Sequence, residues 1–215
     1  ALTGRDLNSA AGEINGKVQS YPLPPGYTVY IGGEAEEMLT AFRDLLLALL
    51  LAVTFVYMIM AAQFESLVQP LIIMFTMPLG LIGVIWALAI GNLPVSVPAM
   101  VGVIVLAGVV VNNGIVLVDY VNILRQKGHA VEEALMLAGP TRFRPILMTA
   151  LTTILGLLPM AFGTGDGAEM QAPMAVAVIG GLTVATALTL IVVPVIYLSF
   201  DRMSVKWKSR RQRKR

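Results

Sequence analysis

No cysteine occurs among the 215 residues, and histidine occurs once. Disulfides and thiolate metal sites are therefore excluded, and metal chemistry loses its usual ligands. Charge is also scarce, at 13% of residues, where soluble domains carry about a quarter. Asp, Glu, Lys and Arg are absent from Leu45 to Phe64, from Ser66 to Val118, from Pro145 to Gly165 and from Met170 to Phe200. A soluble fold does not sustain such gaps, whereas a bilayer core demands them, at roughly 20 apolar residues per helix. The second gap accommodates two crossings and each of the others one. The pattern predicts an all-α integral membrane protein with five transmembrane helices, at approximately 43–63, 70–90, 97–122, 145–163 and 172–198. Ser-His-Asp, HExxH and P-loop constellations are missing as well, so an enzyme is not expected. No cofactor and no nucleic-acid partner is expected either.

Residues 1–42 differ in character. Leu7, Ala10, Ala11, Ile14 and Val18 are spaced for one helix face. The turn Tyr21-Pro22-Leu23-Pro24-Pro25-Gly26 follows, and the alternation from Tyr27 to Ile31 predicts a short strand ended by Gly32-Gly33. One helix and one strand bury no core of their own, so this segment reads as the truncated α/β tail of an extramembrane domain. Residues 43–200 form the membrane domain and 201–215 a basic tail. Pro70 and Pro145 are expected at helix starts, where a missing N–H costs nothing. Pro78, Pro159 and Pro194 fall within or near the ends of spans, where kinks are expected. A short interfacial helix from Ala130 to Ala138, closed by Gly139-Pro140, is expected before the fourth span.

Orientation follows the positive residues. Arg125, Lys127, Arg142 and Arg144 lie between the third and fourth spans, and a basic run from Lys206 to Arg215 ends the chain. Both are expected in the cytoplasm, the run against acidic lipid headgroups. The N-terminal segment, with Glu34, Glu36 and Glu37, is then outside. The chain starts at Ala1 without a signal peptide, so an earlier transmembrane helix upstream is expected.

Polar residues inside the spans are few. Asn112 and Asn113 lie near the middle of the third span, where polar groups are costly and face a bundle interior or a water-filled cavity. Asn112 and Asp119, seven residues apart, share a face about 10 Å long by helical rise. This track is either helix-packing glue or a transport path. Thr149 and Thr153 share a face of the fourth span, and such hydroxyls either relay a proton or bond back to their own helix. Small residues at Ala177, Gly181 and Ala185, and at Gly108 with Asn112, are spaced for close helix packing. His129 is assigned no role, and the twelve methionines form no convergent set along the chain, which fits flexible packing.

Several stretches carry a family resemblance: Gly33-Glu-Ala-Glu-Glu37, Ala62-Gln-Phe-Glu-Ser66 with Gln69-Pro70, Met77-Pro-Leu-Gly-Leu-Ile-Gly83, Gly108 to Tyr120, Arg142-Phe-Arg-Pro-Ile-Leu-Met-Thr149 and Val193-Pro194. In combination they cover nearly the whole chain. The sequence resembles the last five helices of the resistance-nodulation-division (RND) family, in particular its hydrophobe/amphiphile, acriflavine-resistance branch. The resemblance implies a homotrimeric inner-membrane exporter driven by proton flow. It also implies that the rest of the same transporter, a periplasmic adaptor and an outer-membrane channel are partners. Residues 1–42 would then be the end of a porter domain. The family's relay looks like an aspartate pair on the fourth helix, joined by a lysine on the tenth and by a threonine and an arginine associated with the eleventh. Thr149 and Arg142 match the last two, Asn113 matches the family's asparagine, and Asn112 stands where the lysine would be. An asparagine can only exchange hydrogen bonds, so two nearby carboxylates become harder to ionise together. Another cation compensates, the ion stoichiometry differs, or another ion drives coupling.

The expected function is thus ion-driven export of hydrophobic or amphiphilic compounds. The alternatives are a heavy-metal exporter of the same superfamily and a non-transport membrane assembly module.

Overall fold

A computed structural model describes residues 12–14, 16–18, 20, 24, 34–163 and 168–212. The chain divides into two compact units, Ala1–Leu50 and Leu51–Arg215. In the first, residues 12–14 and 16–18 are helical, with an exposed Lys17–Glu13 pair one turn apart at 2.9 Å. The strand expected over Tyr27 to Ile31 lies outside the described residues.

Helix α1 spans Glu34–Phe64. It begins ahead of the charge-free stretch because Glu36, Glu37, Met38, Leu39 and Ala41 are good helix formers. It stops at Glu65, whose φ of 48° is left-handed. Ser66 Oγ then accepts from the amides of Val68 (3.3 Å) and Gln69 (3.5 Å) and starts the next helix.

The second apolar stretch is two helices, α2 (Val68–Met74) and α3 (Thr76–Ile90), separated at Phe75. Pro78 supplies the reason. It has no N–H for the carbonyl of Met74, and its ring crowds that carbonyl. The Thr76 hydroxyl, fully buried, donates to the carbonyl of Ile73 at 2.7 Å. Helix α4 (Val97–Gln126) starts with Ser96 Oγ accepting from the Ala99 amide at 3.5 Å. Its end turns through Gly128 at φ +94°, a conformation suited to glycine.

Helix α5 spans Val131–Ala161 without interruption. The separate interfacial helix ended by Gly139-Pro140 does not form, and Pro145 lies inside a helix rather than at its start. Each proline forfeits one backbone bond, but threonine hydroxyls add bonds beside them, from Thr141 to the carbonyl of Leu137 (2.8 Å) and from Thr149 to that of Pro145 (3.1 Å). Helix α6 (Ala168–Gln212) runs past Pro173 and Pro194 into the basic tail.

Among the described residues five helical stretches are thus long and apolar enough to cross a membrane, counting α2 and α3 as one. Within the second unit α6 packs against α2, α3, α4 and α5. Towards the ends of α3 and α4 near Gly91 the helices touch through backbone. A Cβ added at Gly83 would collide with the carbonyl oxygen of Gly180, one at Gly180 with Ala87 Cβ, and one at Gly181 with Leu106 Cδ2. Ala177 and Ala185 are fully buried in the same face of α6. Gly108 is different, because it is exposed and an added Cβ would meet nothing within 4 Å. Gly108 thus packs against nothing among the described residues of this chain; the tight approaches of α4 occur at Gly102 and Gly114, each about a third of a turn away from it around the helix, where an added Cβ would lie 2.8 Å from the Met174 carbonyl oxygen and from Ile73 Cγ2, respectively.

Towards the other, basic end, larger side chains fill the core, among them Met60, Ile73, Leu117, Val121, Ile146 and Val193. A polar network closes this end. Gln69 and Asn122 exchange amide hydrogen bonds at 3.2 and 2.8 Å. Tyr197 donates to Asn122 Oδ1 at 3.0 Å and accepts from Arg125 Nη1 at 3.1 Å, while Arg125 Nη2 lies 3.3 Å from Asp201 Oδ1. These contacts tie α2, α4 and α6 together.

Gly83→Val is expected to lower stability by about 1–3 kcal/mol or more, because it forces two backbones apart. Gly108→Ala should be neutral or stabilising by about 0.5–1 kcal/mol. Melting curves of the detergent-solubilised protein compare the two. Tyr197→Phe removes one donated and one accepted hydrogen bond from a nearly buried residue, and should cost about 1–2 kcal/mol in the same assay. Arg202→Ala, which breaks the exposed Arg202–Glu132 pair, should cost less than about 1 kcal/mol.

Candidate relay and coupling site

The faces of α4 are unlike one another. Val103, Leu106, Val110, Asn113, Leu117 and Val121 are buried among α2, α3, α5 and α6. Val105, Gly108, Asn112 and Asp119 are exposed, and their spacing places them along one open stripe. Asn112 sits halfway along the helix and Asp119 two turns nearer the basic end. The adjacent amides therefore part company: Asn113 is 4% exposed and points into the bundle, while Asn112 faces outward.

On α5 the threonines hydrogen-bond back to their own helix. Thr149 donates to the carbonyl of Pro145, Thr152 to Met148 (2.8 Å) and Thr153 to Thr149 (2.9 Å). Thr149 and Thr152 are exposed. A hydroxyl whose proton is committed in this way still offers lone pairs outward as an acceptor.

Arg142, also on α5, is half-buried, and its guanidinium carbon lies 4.6 Å from the centroid of the Tyr120 ring on α4. That contact sets the register between two helices joined by a short turn, and hence antiparallel. Seven residues along α5 lead to Thr149, and seven back along α4 to Asn113, each about 10 Å by helical rise. Asn112, Asn113 and Thr149 thus occupy the same depth, one on an open face, one inside and one on the open side of α5. Arg142 lies at the depth of Asp119 and Tyr120.

Below this level a cavity of about 470 Å³ opens at the basic end, lined by Gln63, Glu65, Gln69, Asp119, Asn122 and Arg125 among others. Sequence reasoning identified Asp119 there but missed Gln69, Asn122 and Tyr197, which form the cavity's hydrogen-bonded wall and its anchor. Tyr120 was missed too. A usable signal existed: Asn122 and Arg125 follow Asp119 at three-residue steps on the same helix. Among the described residues, His, Cys, Asp and Glu form no cluster of three or more suited to a metal ion.

The chain matches the AcrB/AcrD/AcrF family over residues 1–201. It is 41% identical over 197 residues to the cobalt-zinc-cadmium resistance protein CzcA of Cupriavidus metallidurans, covering 91% of this chain and 18% of that protein. It is 37% identical over 201 residues to the multidrug resistance protein MdtC of Erwinia tasmaniensis, covering 93% of this chain and 20% of that protein. A crystal structure of a heavy metal efflux pump superposes with a TM-score of 0.83 at 32% identity, over 94% of this chain and 20% of that one. The chain therefore spans about a fifth of the length of these relatives. With a family match over most of its length and five helices suited to a bilayer, this multi-pass membrane protein belongs to the AcrB/AcrD/AcrF family of RND transporters.

Proposed function

We propose that, in the whole protein, this chain supplies the relay and coupling helices of an ion-driven efflux pump. The pump lies in the bacterial cytoplasmic membrane, with the basic end of the bundle in the cytoplasm and residues 1–42 outside, as the end of a porter domain. The supporting observation is the open stripe of α4. An amide at mid-membrane and a carboxylate two turns further on do not face lipid, where polar groups are costly. They face another part of the transporter, and an acidic pair on an earlier helix is the partner this stripe suits. The whole pump is a homotrimer that works with a periplasmic adaptor and an outer-membrane channel.

In this arrangement the Thr149 hydroxyl accepts from a protonated acid while its own O–H stays hydrogen-bonded to the Pro145 carbonyl. When the acid ionises, the hydroxyl turns and donates to the carboxylate. Asn112 stabilises either state through its amide but brings no charge. The cation of this face is Arg142, about 10 Å along the helix axis. Protonation then shifts the balance between two packings of α4 and α5 against the other half, and rigid-body movement carries that shift to the porter domains.

Two cargo classes compete. The motifs shared with the acriflavine-resistance branch favour hydrophobic or amphiphilic compounds. The 41% identity to a cobalt-zinc-cadmium resistance protein and the superposition on heavy metal efflux pumps favour divalent metal ions. Cells lacking their own exporters and expressing the full-length pump distinguish these classes. Protection against dyes and detergents supports the first, and protection against zinc, cobalt or cadmium the second.

Thr149→Ala and Asn112→Ala are each expected to slow export roughly tenfold, the rate equivalent of losing one hydrogen bond to an ionisable group. Membrane abundance and melting temperature should stay at the wild-type level. Wild-type export by both variants would remove the relay assignment. A loss of stability matching the loss of export would make these residues packing glue instead.

A further inference from the structure

Arg142 is held in an unusual way. The other cations with charged or polar partners pair with oxygen: Lys17 with Glu13, Arg125 with Tyr197 and Asp201, and Arg202 with Glu132. Arg142 takes part in none of the ion pairs among the described residues, and its Nε is buried without a hydrogen-bond partner. What holds it is the face of Tyr120, at 4.6 Å. Arg144, two residues on, is exposed.

An aromatic ring attracts a cation through its quadrupole and consumes none of the five guanidinium N–H donors. A carboxylate in the same place would neutralise the arginine and occupy its fork. Tyr120 therefore fixes the position of Arg142 while leaving its charge and donors unspent. The two residues also belong to different helices, so the contact depends on the register of α4 against α5.

Building on the relay assignment above, we infer that Tyr120 is a positioning residue, whose ring face holds the Arg142 guanidinium ready for an acidic group brought by the rest of the transporter. The aromatic face carries this role and the phenol hydroxyl is dispensable. When α4 slides against α5, the ring moves with α4 and the guanidinium loses its support, so availability of the cation follows the packing state of the two helices.

The test uses the full-length pump in proteoliposomes, with export driven by an imposed ion gradient. Tyr120→Phe should export at the wild-type rate. Pentafluorophenylalanine at position 120 keeps the shape of phenylalanine but abolishes the attraction of its face for a cation. It should lower the maximal rate on the order of tenfold, with the KM for cargo unchanged. Tyr120→Leu should behave likewise. In an Arg142→Ala background, pentafluorophenylalanine should bring no further loss. If the pentafluorinated variant exports as fast as Tyr120→Phe, or if its defect persists in full without Arg142, the role of Tyr120 is overturned and the relay stands. A fully active Arg142→Ala pump overturns the relay assignment of Arg142, and this inference with it. Because phenylalanine and its fluorinated form differ so little in volume, the comparison stands even where Tyr120→Leu does not fold.

Discussion

Helices in a bilayer gain nothing from hiding apolar side chains from lipid that is equally apolar, so they hold together where their backbones come close. In this chain the approach of α3 and α4 to α6, at Gly83, Gly102, Gly180 and Gly181, meets that condition. Everything else in the second unit depends on it. The contact sets the rotation of α6, which buries Val193 and Tyr197 and brings Tyr197 to Asn122. It also sets the rotation of α4, which decides that Asn113 points inward and Asn112 outward. Within this chain Gly102 packs and Gly108 does not, because they lie on different sides of the helix.

Polar groups are then sorted into two kinds. At the basic end Gln69, Asn122, Tyr197, Arg125 and Asp201 satisfy one another, and the network they form is a clamp. At mid-depth Asn112 and Thr149 are exposed, at the level where exposure to lipid costs most. The exposed leucines and phenylalanines of α1 and α5, such as Leu47, Phe55, Leu151 and Leu155, are at home in lipid. The Asn112 amide is at home only against protein, whereas the Thr149 hydroxyl is already bonded to the Pro145 carbonyl of its own helix. Closed polar groups tie α2, α4 and α6 together.

Relatives named for metal resistance and for drug resistance share this membrane unit at similar identity. This membrane unit is therefore common to relatives named for different cargo. Within it, Asn112 is an open amide at mid-depth and Arg142 is held against the Tyr120 ring.

The spacing of charge along the chain determined, without any coordinates, that five stretches cross a bilayer, because solvation by lipid is a local property of composition. The resemblance carried by the Gly108 to Tyr120 and Arg142 to Thr149 stretches brought the family into view by the same local means. The boundaries of α5 were not legible, since whether Pro140 and Pro145 end a helix depends on what else satisfies their freed carbonyls. Nor was the difference between Gly108 and Gly102, or between Asn112 and Asn113, because a helix rotates about 100° per residue and only its neighbours decide which side is inside. The same holds for the Tyr120–Arg142 contact and the Asn122–Tyr197 network. Their members are 22 and 75 residues apart in the chain, and only the packing of helices brings them together.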